Sequence, residues 1–210
     1  HHWIMVPEDL PVGRYTLAAG LFRLLQNERL PVSGKDTDPE QRVAWASDLR
    51  YAPPEPQITG QPPLSQVRFG DLFTIRSLDV HRNDQELHGV MWDVVPGDTL
   101  TLDVFWETLE RPALDYSVFL HLSAAADAPP VSQADSPMGG PFPTGAWRPG
   151  DLVHDRLTLV TPEDTPTGTY DLLLGTYFWQ TGERLSVTEG GRMDPDQRIV
   201  LGQVTVHTRQ

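Results

Sequence analysis

The sequence has no cysteine and a single lysine, Lys35, among its 210 residues. Without cysteine there is no disulfide, no thiolate metal ligand and no cysteine nucleophile. The compartment stays open, because a domain of this size persists outside the cell without bridges. Basic charge is scarce as well: 16 Lys and Arg stand against 29 Asp and Glu, a formal net charge of −13. That surplus repels phosphate backbones and anionic lipid surfaces, so nucleic acid is not an expected partner. No apolar run reaches the roughly 18 residues that cross a bilayer. The best stretch, Val94 to Leu109, is interrupted by Pro96, Gly97, Asp98, Asp103 and Glu107. Any membrane attachment is therefore expected only through a region upstream of this chain. The chain opens on His1, His2 and Trp3, with neither an initiator Met nor the basic and apolar regions of a signal peptide, and reads as a piece of something longer.

What is plentiful is proline and glycine, 20 and 17 residues, alongside 39% hydrophobic residues. The first pair interrupts helices, and the hydrophobic share exceeds what a disordered tail carries. A folded, turn-rich chain follows.

Two segments repeat. Pro7 to Val32 reads PEDLPVGRYTLAAGLFRLLQNERLPV and Pro162 to Val187 reads PEDTPTGTYDLLLGTYFWQTGERLSV, with 12 identities in 26 ungapped positions. After a one-residue slip, Asp38 to Val43 matches Asp194 to Ile199. Similar turns recruit similar Pro and Gly, but they do not require a shared Glu-Arg-Leu, so the match marks a duplicated unit. Residues 67–210 are expected to form one complete copy and residues 1–51 the C-terminal third of a preceding one. Residues 52–66, with Pro53, Pro54, Pro56, Pro62 and Pro63, are expected to be a semi-rigid linker. An isolated third exposes its inner face, so it should pack on the complete copy or self-associate.

Apolar residues alternate in the complete copy, the period of half-buried strands. Leu100, Leu102, Val104 and Trp106 do so, as do Tyr116, Val118, Leu120 and Leu122, and Tyr170, Leu172 and Leu174. Further strands are expected near 72–80, 86–94, 131–135, 152–160, 183–188 and 198–207. Turns are expected at Pro96-Gly97-Asp98, Arg148-Pro149-Gly150 and Thr165 to Gly168. The pattern predicts an all-β antiparallel sandwich of immunoglobulin-like or jelly-roll type. Residues 21–29 and their counterparts 176–184 are expected to be hairpins, returning at Glu28 and Glu183.

Pro96 to Val187 contains the words PGDTLTLDVFW, DYSVFLHL, QADSPMGGPFPTGAWRPGDLVHDR, TPTGTYDLLLGTY and GERLSV. Together these resemble the extracytoplasmic β-sandwich modules, often in tandem, at the carboxyl end of bacterial membrane glycosyltransferases of the protein-mannosyltransferase-like class, which use polyprenyl-phosphate sugars. The resemblance implies attachment to such an enzyme and an extracytoplasmic address. It implies no activity, because the membrane-embedded catalytic region has no counterpart here.

The long connection from Asp135 to Arg156 is the strongest candidate site, since connections longer than about 12 residues in a compact domain tend to be functional or disordered. Trp147 and Phe142 beside Arg148 offer a flat face for a sugar ring, and Asp135, Asp151 and Asp155 offer hydroxyl acceptors. The alternative is that Trp147 plugs one end of the sandwich while Asp135 and Asp155 cap its turns. His121, His154 and an Asp make a metal set only if their strands are neighbours, and no HxH or HExxH spacing is present. Asp36-Thr37-Asp38-Pro39-Glu40 has the charge of a calcium loop, but the required Gly position holds Gln41. No metal and no cofactor are expected. Asp103 and Glu107 share a strand face about 13 Å apart at strand rise, too far for paired glycosidase carboxylates, and read as a solvated face. With no GxSxG, P-loop or GxGxxG, no enzyme is expected. Three classes stand: a non-catalytic accessory module contacting glycan or acceptor or acting as a spacer, a free-standing carbohydrate-binding module, and a structural or adhesive repeat.

Overall fold

The computed structural model describes residues 4–34, 37, 40, 43–63, 66–125, 128–189 and 191–208. The chain divides into two compact units, His1–Pro53 and Pro54–Gln210.

Unit 1 holds β1 (Gly13–Ala19), β2 (Phe22–Arg23), β3 (Glu28–Arg29) and β4 (Ala44–Tyr51). β1 and β4 form a two-stranded antiparallel ribbon, and β2 and β3 form the hairpin expected there. A 3-10 turn at Leu24–Gln26 reverses the chain, closed by Asn27 in the left-handed region (φ 52), where Asn is tolerated. The acidic stretch from Asp36 lies mostly outside the described residues.

Unit 2 is an all-β sandwich. Its strands are β5 (Arg68–Phe69), β6 (Phe73–Arg82), β7 (Gln85–Leu87), β8 (Met91–Val94), β9 (Thr99–Thr108), β10 (Tyr116–Ser123), β11 (Ser132–Pro137), β12 (Leu152–Val160), β13 (Gly168–Phe178), β14 (Glu183–Arg184), β15 (Val187–Glu189), β16 (Met193–Asp194) and β17 (Arg198–Val206). One sheet runs β12-β9-β6-β5-β15, with β7 on β6. The other runs β11-β10-β13-β17-β16, with β14 on β13 and β8 on β17. All pairs are antiparallel except β8 with β17. The alternation expected from sequence forms the core: Leu100, Leu102, Val104 and Trp106 of β9 are fully buried, as are Val118, Leu120 and Leu122 of β10 and Leu172 and Leu174 of β13. Two expected strands are each split between the sheets. Gly89, at φ +75, turns the chain so that residues 86–94 give β7 to one sheet and β8 to the other. Residues 183–188 likewise supply β14 and β15 to opposite sheets.

The second half of the proline-rich stretch belongs to this unit. Gln61 exchanges backbone hydrogen bonds with Leu78 (N to O 3.3 and 3.0 Å), and the Ser77 hydroxyl donates to the Thr59 carbonyl. Gly60, at φ +77, lies against the Asp79 carboxylate, which stands 2.3 Å from where a Cβ would be.

Candidate functional site

The connection between β11 and β12 is a plug rather than a platform. Trp147 is 0% exposed and Phe142 2%. The Trp147 indole donates to the Phe142 carbonyl (2.8 Å), and its ring meets Phe73 edge-on at 5.4 Å between centroids. A short 3-10 turn at Thr144–Ala146 is pinned by the Thr144 hydroxyl, which donates to Leu114 O (2.8 Å) and accepts from Tyr116 N (2.9 Å). Gly139, at φ +73, lets the backbone pass within 2.6 Å, measured from an added Cβ, of the Trp147 ring. The expected aromatic face is thus corrected: burial of a ring this large closes one end of the sandwich, leaving no surface for a sugar. Asp155, expected as a hydroxyl acceptor, is 6% exposed. It accepts from the Trp106 indole (3.0 Å) and from Gly139 N (2.9 Å to Oδ1), and burial pushes its carboxyl up to about 6 despite those two donors. Arg148 is exposed, its backbone N–H donating to Asp151 Oδ2 (2.6 Å). Asp135 is exposed on β11, opposite Phe119 of β10. These five residues do not form one site.

The two histidines belong to different sheets, His121 on β10 and His154 on β12. Among the described residues no group of three or more His, Asp or Glu side chains is placed to hold a metal ion. His121 packs against Phe119 with the ring planes tilted by 38° and faces Arg198, and burial pushes its imidazole down to about 4.

A polar groove of about 580 Å³ lies on the outer face of the β12-β9-β6 sheet, walled by residues 56–60. Its floor follows from register, because outward side chains of adjacent strands stand beside one another. One rung is His154, Phe105 and Ser77; the next is Arg156, Asp103 and Asp79; the third is Thr158, Thr101 and His81. Asp103 is the hub. Arg156 grips it bidentately (Nε to Oδ1 2.8 Å, Nη2 to Oδ2 2.9 Å), His154 Nε2 lies 2.7 Å from Oδ1, and His81 Nε2 lies 3.8 Å from Oδ2. Burial raises the Asp103 pKa, but the Arg156 and His154 hydrogen bonds outweigh it and hold the group below the usual carboxylate range. The expectation that Asp103 lies on a solvated face is therefore corrected: it is 4% exposed and charge-paired. Glu107, two rungs along from Asp103, pairs with Arg76 at 3.1 Å. Asp79 is pushed the other way, by burial and then by the nearby Glu86, with Asp103 adding to it. The imidazole of His154 stacks on Phe105 at 4.6 Å with the planes 20° apart.

Asp79, His81, Phe105 and Arg156 were not singled out from sequence. The available signal was the outward half of each alternation, His154-x-Arg156-x-Thr158 against Thr101-x-Asp103-x-Phe105. The groove joins hydrogen-bond acceptors, a fixed guanidinium and an imidazole face. Within it the Ser77 hydroxyl donates to a backbone carbonyl, and three donors occupy Asp103.

No known protein family matches the chain, and no curated protein matches it. Among solved structures it is similar to the C-terminal domain of Wzt, at 11% identity and a TM-score of 0.44, over 72% of this chain and 83% of that one.

Proposed function

We propose that unit 2 is a non-catalytic carbohydrate-binding module whose saccharide lies in the groove over β6, β9 and β12. The observation that carries this reading is the Asp103 hub: a buried carboxylate locked by Arg156 and His154 at the floor of an open groove. Sugars are recognised by fixed, charge-assisted hydrogen bonds to vicinal hydroxyls together with a flat ring against a C–H face. Arg156, with a 64% exposed side chain, and His154, stacked flat on Phe105, supply both. Asp79, Glu86 and Asp103 outnumber Arg156 there, and the chain carries −13 overall, so the fitting saccharide is neutral rather than a uronate or sulfate. Saturation of Asp103 by three donors favours binding over hydrolysis.

In this reading the module works outside the cytoplasm, contacting glycan or acceptor as the accessory part of a membrane glycosyltransferase. That role rests on the sequence words from Pro96 to Val187. Screening the intact chain on an array of neutral and acidic glycans, followed by calorimetry on the hits, tests the groove. Binding of a neutral saccharide, weakened about tenfold or more in Asp103→Asn and in Arg156→Ala with unfolding midpoints near wild type, is expected, at about 1.4 kcal/mol per decade. No binding across the array, or wild-type affinity in both variants, rejects it.

A further inference from the structure

Unit 1 reproduces the strand pairing of one part of unit 2, with β1 and β2 standing for β13, β3 for β14 and β4 for β17. A constant shift in numbering carries each β1-β4 pair onto a β13-β17 pair, Gly13↔Tyr51 onto Gly168↔Val206 and Ala19↔Ala44 onto Leu174↔Ile199. The irregularity recurs at the same place, between Leu17 and Ala18 in one and between Leu172 and Leu173 in the other. The hairpin pairs Phe22↔Arg29 and Arg23↔Glu28 correspond to Tyr177↔Arg184 and Phe178↔Glu183. Tyr15 donates its hydroxyl to Pro11 O as Tyr170 does to Pro166 O. The slip seen between the Asp38 and Asp194 blocks is not carried into the strands.

The burial differs. In unit 2 the inward residues Tyr170, Leu172, Leu174, Val204 and Val206 are 5%, 0%, 0%, 0% and 1% exposed. Of their counterparts, Leu49 is 49% and Tyr51 42% exposed, Ala19 is exposed, and Tyr15 and Leu17 are only half-buried. In unit 2 the opposite sheet of the sandwich buries its own apolar set, Leu100, Leu102, Val104 and Trp106 of β9 with Val153, Leu157 and Leu159 of β12. A two-stranded ribbon is marginal alone in water.

We infer that the β1-β4 face of unit 1 is a docking surface for a sheet of the β6-β9-β12 kind, supplied by the front part of a further repeat lying ahead of unit 1 in the same polypeptide. A register shared through its irregularity makes the face complementary to that sheet specifically, since a one-residue change of register turns the apolar set away. This does not depend on the groove or its ligand.

The test puts a second copy of residues 67–161 in place of residues 1–6, directly ahead of Pro7, in the full chain. The fusion should show one additional cooperative unfolding transition, and the Leu17 and Leu49 amides should exchange about tenfold or more slowly than in the 210-residue chain. Leu17→Asp with Leu49→Asp in the fusion should remove the added transition and the protection, while the transition of unit 2 stays in place as internal control. A fusion without the added transition overturns the inference. So does a concentration-dependent dimer of the 210-residue chain that the same two substitutions dissolve, which would make a second copy the occupant. A monomeric 210-residue chain whose Leu17 and Leu49 amides are already as protected as in the fusion overturns it as well.

Discussion

Asp155→Asn should change how the stability of unit 2 depends on pH. The carboxylate is 6% exposed, and its hydrogen bonds from Trp106 Nε1 and Gly139 N hold the plug against β9. Burial raises its pKa from 3.8 to about 6, so the folded chain binds a proton between those values that the unfolded chain has released. Stability contributed by the protonated group is fully present below about 3.8 and is lost as pH rises through about 6. At about 1.4 kcal/mol per unit, roughly 2 to 3 kcal/mol is lost by pH 8. His121 slopes the other way. Its imidazole, lowered from 6.5 to about 4, contributes stability above 6.5 that is lost as pH falls through 4. The total curve therefore mixes both, and the difference between variant and wild type isolates Asp155. Asparagine keeps an oxygen acceptor for the indole without a charge to bury, so its stability relative to wild type should rise by about 2 to 3 kcal/mol from pH 4 to pH 8. Urea unfolding followed by tryptophan fluorescence at several pH values measures this. A difference between Asp155→Asn and wild type that is constant with pH, or that falls as pH rises, refutes the argument.

Trp147→Ala empties the end of the sandwich and should cost about 3 to 5 kcal/mol in chemical unfolding, while any folded fraction keeps wild-type glycan affinity; a selective loss of binding with stability unchanged would return Trp147 to the candidate site. Gly175→Ala places a methyl group 2.2 Å from the Phe119 ring, which is held by Tyr177 and by Arg184 lying 4.9 Å above it, and should cost about 3 kcal/mol by urea unfolding. An unchanged midpoint would mean that the ring yields freely.

The strands of unit 2 are legible in the chain because alternation is a local property: Leu100, Leu102, Val104 and Trp106 mark one face of β9 whatever β9 pairs with. The likeness of residues 7–32 to 162–187 is legible for the same reason, and β1-β4 and β13-β17 share one register, down to the irregularity after Leu17 and Leu172. The turns of the connection ahead of β12 are also readable from its Pro and Gly. Whether that connection displays Trp147 or buries it is not a local matter, since it depends on Phe73 and Phe142 arriving around the same ring.

The groove lies still further from the linear chain. Asp103 looks like one polar residue on a solvent face until register sets Arg156 and Asp79 on either side of it and brings His154 to its Oδ1. Side-chain period and turn chemistry are carried by neighbouring residues, so the all-β class and the strand faces belong to the sequence. Burial, ion pairing and the convergence of a site require segments far apart in the chain to meet, so the plugged Trp147, the displaced pKa of Asp155 and the Asp103 hub belong to the tertiary structure.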